Sequence, residues 1–414
     1  MGGFQDILIL LSFLIEVAVL FYLEMKAWRT LYTPLIFLML PYVIVLLITV
    51  AISGHFGLVE FYYPSILLWS VGLLLFALPS YCLAFVLQKH DRPLNSSMAE
   101  EVQMPKVLIY LGIFVVLLFL WRFRSVRGSY VVGSREFGDM LCGKGFWGHL
   151  RQLALPILMM SIYYVEKKKW WLWLIIIPII IVAVLYQVLG WLIIPCLVGI
   201  ILRLYTGKLK LKLSLLVYVV LGASIVFLGS YIISLVIVGE KDLDNEVLSF
   251  ISRNFIHYLT SGTLGLSVDM ERGFPDAGEF DILIVQLINL ANQITGSDEI
   301  LSPLNPLFYN TGFNYTNVRS FFGTIYINTD KITFVVYILF LSTAIYLMKL
   351  ATIRFNNIYV YTAYFLECGA LFMGWFETYF ALLPVIEIPI ICLLLGLLSK
   401  VCEPKSLIHD DVPQ

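Results

Sequence analysis

The chain has 414 residues, 60% of them hydrophobic and 13% charged, with a mean hydropathy of +0.90. A soluble domain carries about 25% charged residues, so a water-soluble protein is excluded and a polytopic membrane protein is indicated. The formal net charge of −1 says little, because in such proteins the placement of charge matters more than its sum.

A spanning helix needs about 20 mostly apolar residues. By that measure about eleven spans are expected, near residues 4–24, 32–53, 63–88, 106–122, 147–165, 170–187, 190–204, 213–238, 332–350, 357–375 and 379–399. The sequence Met1-Gly-Gly-Phe-Gln-Asp lacks a basic region, and no small-residue cleavage site follows the first apolar run, so that run reads as a retained span. Leu189-Gly190 must act as a very tight turn between two short helices. The expected division is therefore residues 1–238 with eight spans, 239–331 as one large loop, and 332–414 with three spans and a tail.

Basic residues in the short loops set the orientation. Lys26 with Arg29, Lys89 with Arg92 and Lys106, and Lys167 to Lys169 fall on one side if the spans alternate. So do Arg203 with Lys208, Lys210 and Lys212, then Lys349 with Arg354, and Lys400 with Lys405. The positive-inside rule makes that side cytoplasmic. The N-terminus and the 239–330 loop are then external, and the C-terminus is cytoplasmic.

One short loop breaks the pattern. Arg122, Arg124, Arg127, Arg135, Lys144 and Arg151 lie on the side that should be poor in basic residues. Arg122 and Arg124 fit snorkelling at a helix end. Arg135, in Val-Gly-Ser-Arg-Glu-Phe-Gly, stands away from the helix ends, and a basic external loop beside a membrane invites lipid phosphate.

Within the large loop, residues 245–266 have helical periodicity, with Arg253 and His257 four apart and so on one face. A turn-rich acidic stretch, 267–279, follows. Residues 281–293 regain the helical period and are candidates for lying on the membrane surface. Pro303 and Pro306 precede an aromatic and amide-rich segment at 313–322.

Four external arginines, Arg135, Arg253, Arg272 and Arg319, offer planar donor forks suited to a diphosphate. The competing reading pairs them with neighbours such as Glu136 and Glu271. His257 is a candidate base or phosphate-orienting group, or a structural histidine. Asp269, Glu271, Asp276 and Glu279 are candidate bases for a sugar hydroxyl, or solvated acids of a turn. Tyr315, Phe321 and Tyr326, among other aromatics of this loop, have ring faces that stack on sugars, and Asn314 and Asn317 have amides for hydroxyls; an interfacial aromatic belt is the alternative. The six cysteines form no Cys-x-x-Cys pair, so neither a disulfide framework nor a zinc site is indicated. No metal or cofactor is expected, and nothing resembles a P-loop or dinucleotide fingerprint.

Asn317-Val-Arg-Ser-Phe-Phe-Gly-Thr-Ile-Tyr326 resembles the Asn-Val-x-Thr-Phe-Phe-x-x-x-Tyr segment of Wzy-type oligosaccharide repeat-unit polymerases. Tyr258-Leu-Thr-Ser-Gly-Thr-Leu-Gly265 is similar to the Tyr-(Leu/Phe)-x-Gly-Gly stretch that opens that family's large loop. Ser320 stands where the family often has threonine, and Asn328-Thr-Asp-Lys-Ile replaces its acidic-Phe-Gly ending. The resemblance implies an all-α, GT-C-like membrane glycosyltransferase of the bacterial inner membrane. Its substrate would be undecaprenyl-diphosphate-linked oligosaccharide, polymerised on the periplasmic face into O-antigen or capsular polysaccharide. Membrane lipid, a chain-length regulator and a flippase would be its partners, and nucleic acid would not. An O-antigen ligase uses the same donor and stays open. A transporter or flippase would line a route with charged residues in the spans, where only Glu16, Glu367 and Glu387 are read as intramembrane acids.

Overall fold

The computed structural model describes residues 3–87, 104–188, 190–212, 245–274, 278–297, 299–303, 305–312 and 314–402, with six further positions between 214 and 229. The expected span at 213–238 falls largely outside the described residues, as do Asp276, Phe313 and the tail from 403. The described residues are all-α apart from one short hairpin. The helices are α1 (Phe4–Trp28), α2 (Pro34–Ile52), α3 (Ile66–Leu87), α4 (Lys106–Val126), α5 (Arg135–Cys142), α6 (Gly145–Tyr164) and α7 (Trp173–Leu185). They continue with α8 (Gly190–Tyr205), α9 (Asn245–Glu271), α10 (Asp281–Thr295), α11 (Ser320–Ile327), α12 (Lys331–Phe355), α13 (Ile358–Phe372) and α14 (Leu383–Cys402). Strands β1 (Tyr309–Asn310) and β2 (Tyr315–Thr316) pair antiparallel, Tyr309 opposite Thr316.

Among the described residues seven helices are long and apolar enough to cross a membrane: α1, α2, α3 with its leading turn, α4, α7 with its leading turn, α12 and α14. The protein is therefore membrane-embedded. Four of these and α6 and α8 together carry internal prolines at 41, 79, 156, 178, 195 and 389, a residue that membrane helices tolerate because neighbouring groups satisfy the freed carbonyls. Helix α8 is shorter, at 16 residues, and α6 keeps His149, Arg151 and Gln152 in its first two turns. The turn between α7 and α8 is made by Gln187, in the left-handed region at φ 61°.

The chain forms two compact units, each discontinuous in sequence. The first comprises residues 1–94, 249–351 and 367–385. Its core is aromatic: the Tyr42 and Trp69 rings stack 3.4 Å apart, and Phe322 meets Trp69 edge-on at 4.8 Å. Gly72 makes room for this ring, since a Cβ there would sit 2.6 Å from it. Helices α1 and α12 run further than the apolar pattern predicted, to Trp28 and Phe355, so Glu24 and Lys349 lie inside them, both buried. The expectation of three intramembrane acids is corrected by Glu24. Its carboxylate accepts from Ser80 Oγ (2.8 Å) and Tyr346 Oη (2.6 Å), and Lys349 donates to the Tyr32 carbonyl (3.0 Å). These bonds explain how charged residues survive within a span. Helix α10 leaves Leu287, Leu290 and Ile294 exposed on one face, and Phe280 at its start touches Tyr337 of α12 at 6.3 Å.

The second unit comprises residues 95–248, 352–366 and 386–414. Helix α6 is its centre, buried along almost its whole length from Leu150 to Tyr164. Gly199 lets α8 lie against it; a Cβ would come within 2.7 Å of Ile162. At the far end, Arg203 donates to the carbonyls of Ile162 (3.1 Å), Tyr163 (3.4 Å) and Val165. A cation there also suits the negative end of the α6 dipole.

Candidate functional site

The chemistry-bearing groups of the first unit gather where the second half of α9 is held by other segments. Residues 260–269 are all buried, and Thr260, Ser261, Gly262, Thr263, Gly265 and Ser267 keep this stretch narrow. Its two glycines permit backbone contact. A Cβ at Gly262 would sit 2.3 Å from the Phe376 carbonyl oxygen, and one at Gly265 would sit 2.2 Å from that of Val318. Ser267 Oγ accepts from the Tyr62 N–H at 2.7 Å. The helix thus delivers Asp269, at its end, into a fully buried position.

Arg319 meets it there. Both residues are 0% exposed, and Nε of Arg319 donates to Asp269 Oδ2. Nη1 donates to the Asn317 carbonyl (2.9 Å) and Nη2 to that of Leu307 (3.4 Å), while the Tyr309 ring lies 4.6 Å from the guanidinium. Arg272, exposed, approaches the same ring at 5.5 Å from the edge of the site. Burial raises the Asp269 carboxyl above the usual range, opposed by Arg319 and then by Arg272. Burial likewise raises the Tyr309 phenol.

A second carboxyl touches the other side of Arg319. Glu377, half-buried in the turn before α14, accepts from the Arg319 backbone N–H at 3.3 Å and from its neighbour Thr378 N–H at 2.7 Å. Desolvation pushes its pKa up to about 7, against those bonds and the Arg319 charge. Tyr258 stacks on Phe376 at 4.6 Å, and burial together with Tyr258 and Glu377 raises the Tyr379 phenol well above its ordinary range. Ser320, which opens α11, holds a left-handed φ of 62°. It is fixed by its N–H on the Phe376 carbonyl (3.0 Å) and by Trp69 Nε1 on its Oγ (3.0 Å). A strained non-glycine residue braced from two sides is a feature of functional sites.

The other expected site residues are placed as follows. His257 is buried and its Nδ1 is 3.1 Å from Thr311 Oγ1; a bond to the Tyr315 carbonyl also ties it to the hairpin. Desolvation lowers its pKa, against the bond to Tyr315. Arg253, four residues earlier, is exposed, as are Glu271 and Glu279. Arg135 is exposed at the start of α5 in the second unit. Among the described residues the carboxylate-to-cation contacts are Arg319 with Asp269 and His149 with Glu387, so neither Arg135 nor Arg272 pairs with the glutamate beside it. Asn314 donates to Asn254 Oδ1 (3.1 Å) and Asn317 to the Asn305 carbonyl (3.0 Å). Phe321 is fully buried against Phe76 and Phe380, and Tyr326 packs on Phe274 and Phe334. Tyr315 is exposed.

The sequence places Glu377 in a turn that could face the site cavity but assigns it no chemical role, and it does not reveal Tyr309 as a platform for two arginines. An acid within Gly374-Trp-Phe-Glu-Thr-Tyr379, an aromatic turn, was the available signal. No group of three or more metal-ligating side chains occurs among the described residues; Asp242-Leu-Asp244, a spacing compatible with a divalent cation, lies outside them. The arrangement offers an exposed cation, a structural buried ion pair and a carboxyl that titrates near neutrality, able to take up and release a proton.

The chain belongs to a family of unknown function, DUF6337, whose family model matches residues 57–404. No curated protein and no solved structure matches it.

Proposed function

We propose that this member of a family of unknown function is a glycosyltransferase that joins oligosaccharide units carried on undecaprenyl diphosphate, a polysaccharide polymerase of the bacterial inner membrane. The observation that carries the reading is Glu377, a half-buried carboxyl titrating near 7, bonded to the backbone of Arg319 and sharing that residue with the Arg272–Tyr309–Asp269 cluster. In this reading Glu377 takes the proton of an acceptor sugar hydroxyl. The oxygen attacks the anomeric carbon of the donor, and the bond to diphosphate breaks with its electron pair on the leaving group. Arg272 stabilises the departing charge, while Arg319 and Asp269 hold the frame. Eleven spans, a GT-C-like layout and a periplasmic site complete the proposal. The membrane-embedded character of the chain and the exposed apolar face of α10 support a lipid-borne substrate.

A transporter gains little support from the buried charges, because Glu24 and Lys349 are satisfied by protein groups. Deleting the gene tests the proposal: single repeat units should accumulate on the lipid carrier. Complementation with Glu377→Gln or Arg272→Gln should leave that phenotype, at normal protein levels. Long polymer stranded on the carrier would instead mean a ligase, and unchanged surface polysaccharide would sink both readings.

A further inference from the structure

We infer that Arg151 anchors a binding site for a phosphate group in the second unit, apart from the cluster around Glu377 and independent of the reaction assigned to it. Arg151 lies in the second turn of α6 and is 7% exposed. Its Nε and Nη1 are buried, and neither has a hydrogen-bond partner. No carboxylate approaches it within 4.0 Å among the described residues. What it does touch is the Tyr186 ring, 3.8 Å from the guanidinium carbon. A ring face satisfies the flat side of the cation but leaves its in-plane N–H donors without acceptors.

The buried Arg319 and the half-buried Arg203 are not left so. Arg319 has a carboxylate and two carbonyls, and Arg203 has three carbonyls. Even the more exposed Arg122 gives Nε and Nη2 to the Met140 carbonyl at 3.1 and 2.7 Å. A buried charge without a partner is among the most destabilising features a fold can carry, so Arg151 calls for an anion from outside the chain. Unpartnered donors at two of its nitrogens favour an anion with several oxygens, and a phosphate supplies them.

The depth of the residue agrees. Trp147, one turn earlier on α6, packs at a tilt against Trp121 at 5.8 Å and carries the Arg122 guanidinium 5.1 Å over its ring. Trp121 and Phe146 are exposed. Tryptophan and arginine grouped at the ends of apolar helices mark the membrane–water boundary. Arg151 is then about 6 Å further in along the helix, within reach of lipid headgroup phosphates. The phosphate has two possible sources, a lipid headgroup or a soluble phosphate compound, and the test separates them.

The full-length protein, delipidated in detergent, is titrated with phosphatidylglycerol, with diacylglycerol of the same chains, and with inorganic pyrophosphate, while its unfolding temperature is followed. Wild type should be stabilised by phosphatidylglycerol and not by diacylglycerol. Stabilisation by pyrophosphate alone would keep the site and assign it a soluble ligand. Arg151→Met should bind at least about tenfold more weakly, about 1.4 kcal/mol. Arg151→Lys keeps the charge but not the planar donor set; it should also weaken binding and serves if the methionine variant does not fold. The inference is overturned if no phosphate compound shifts wild type, or if the folded variants respond as wild type does.

Discussion

Glu377→Gln is the sharpest test of the site, because its effect is fixed in sign by the surroundings of one carboxyl. Burial lifts the Glu377 pKa from an ordinary 4.5 to about 7, so the folded protein holds this proton more tightly than the unfolded chain does. The stabilisation from that proton is complete below pH 4.5, declines as pH rises from 4.5 to 7, and is absent above. Ionising the group in the folded state over that interval costs about 3 kcal/mol, and partial exposure reduces this to about 1–2 kcal/mol. Glutamine cannot ionise; its one carbonyl oxygen can accept from only one of the Arg319 and Thr378 N–H groups, which bond different oxygens of Glu377, and that cost does not change with pH. Wild type should therefore lose about 1–2 kcal/mol relative to Glu377→Gln between pH 5 and pH 8, read as the difference of two unfolding curves in detergent so that other titrating groups cancel. The transfer rate of wild type should rise through pH 7, and the variant should lack that inflection. Parallel stability curves from pH 5 to 8 would refute the reasoning whether or not the activity survived.

Asp269→Asn leaves the Arg319 guanidinium buried against a neutral group and should cost about 3–5 kcal/mol. The paired change to Asp269→Leu with Arg319→Met should cost clearly less than the sum of its single changes, and a cycle of unfolding free energies showing simple additivity would count against the pair. Gly265→Ala drives a Cβ to 2.2 Å from the Val318 carbonyl oxygen, and should lower stability by about 1–3 kcal/mol through overpacking. An unchanged unfolding temperature would mean that α9 does not lie on that backbone.

Hydrophobic runs of membrane length were legible because length and apolarity alone define them, and α1 to α4 appear where the pattern put them. Their ends were less legible. Glu24 and Lys349 look like the charged limits of spans, yet α1 continues for four more residues and α12 for six, since Ser80, Tyr346 and Tyr32 accept or donate to them from distant segments. The site failed to show for the same reason. Nothing local to Arg319 reveals that its carboxylate comes from Asp269, 50 residues earlier, or that the amides of Asn314 and Asn317 are taken up by Asn254 and Asn305. Arg135, Arg253, Glu271, Arg272, Glu279 and Tyr315 kept the exposure that their polar sequence neighbourhood implied.

These contacts change what the 317–326 segment can mean. Asp269 and Glu377 reach Arg319 from two sides, Gly265 presses on the Val318 carbonyl, and Phe376 and Trp69 fix Ser320. The two phenylalanines that follow are sealed into the core. A segment held at so many points constrains which residues fit it whatever chemistry occurs nearby, so its resemblance to a polymerase motif bears first on architecture. Groups that act on a substrate must be reachable, and the ionisable groups that contact Arg319 or the Tyr309 ring without being fully buried are Arg272 and the half-buried Glu377. Specific chemistry is therefore better sought in those two side chains than in the motif that positions them.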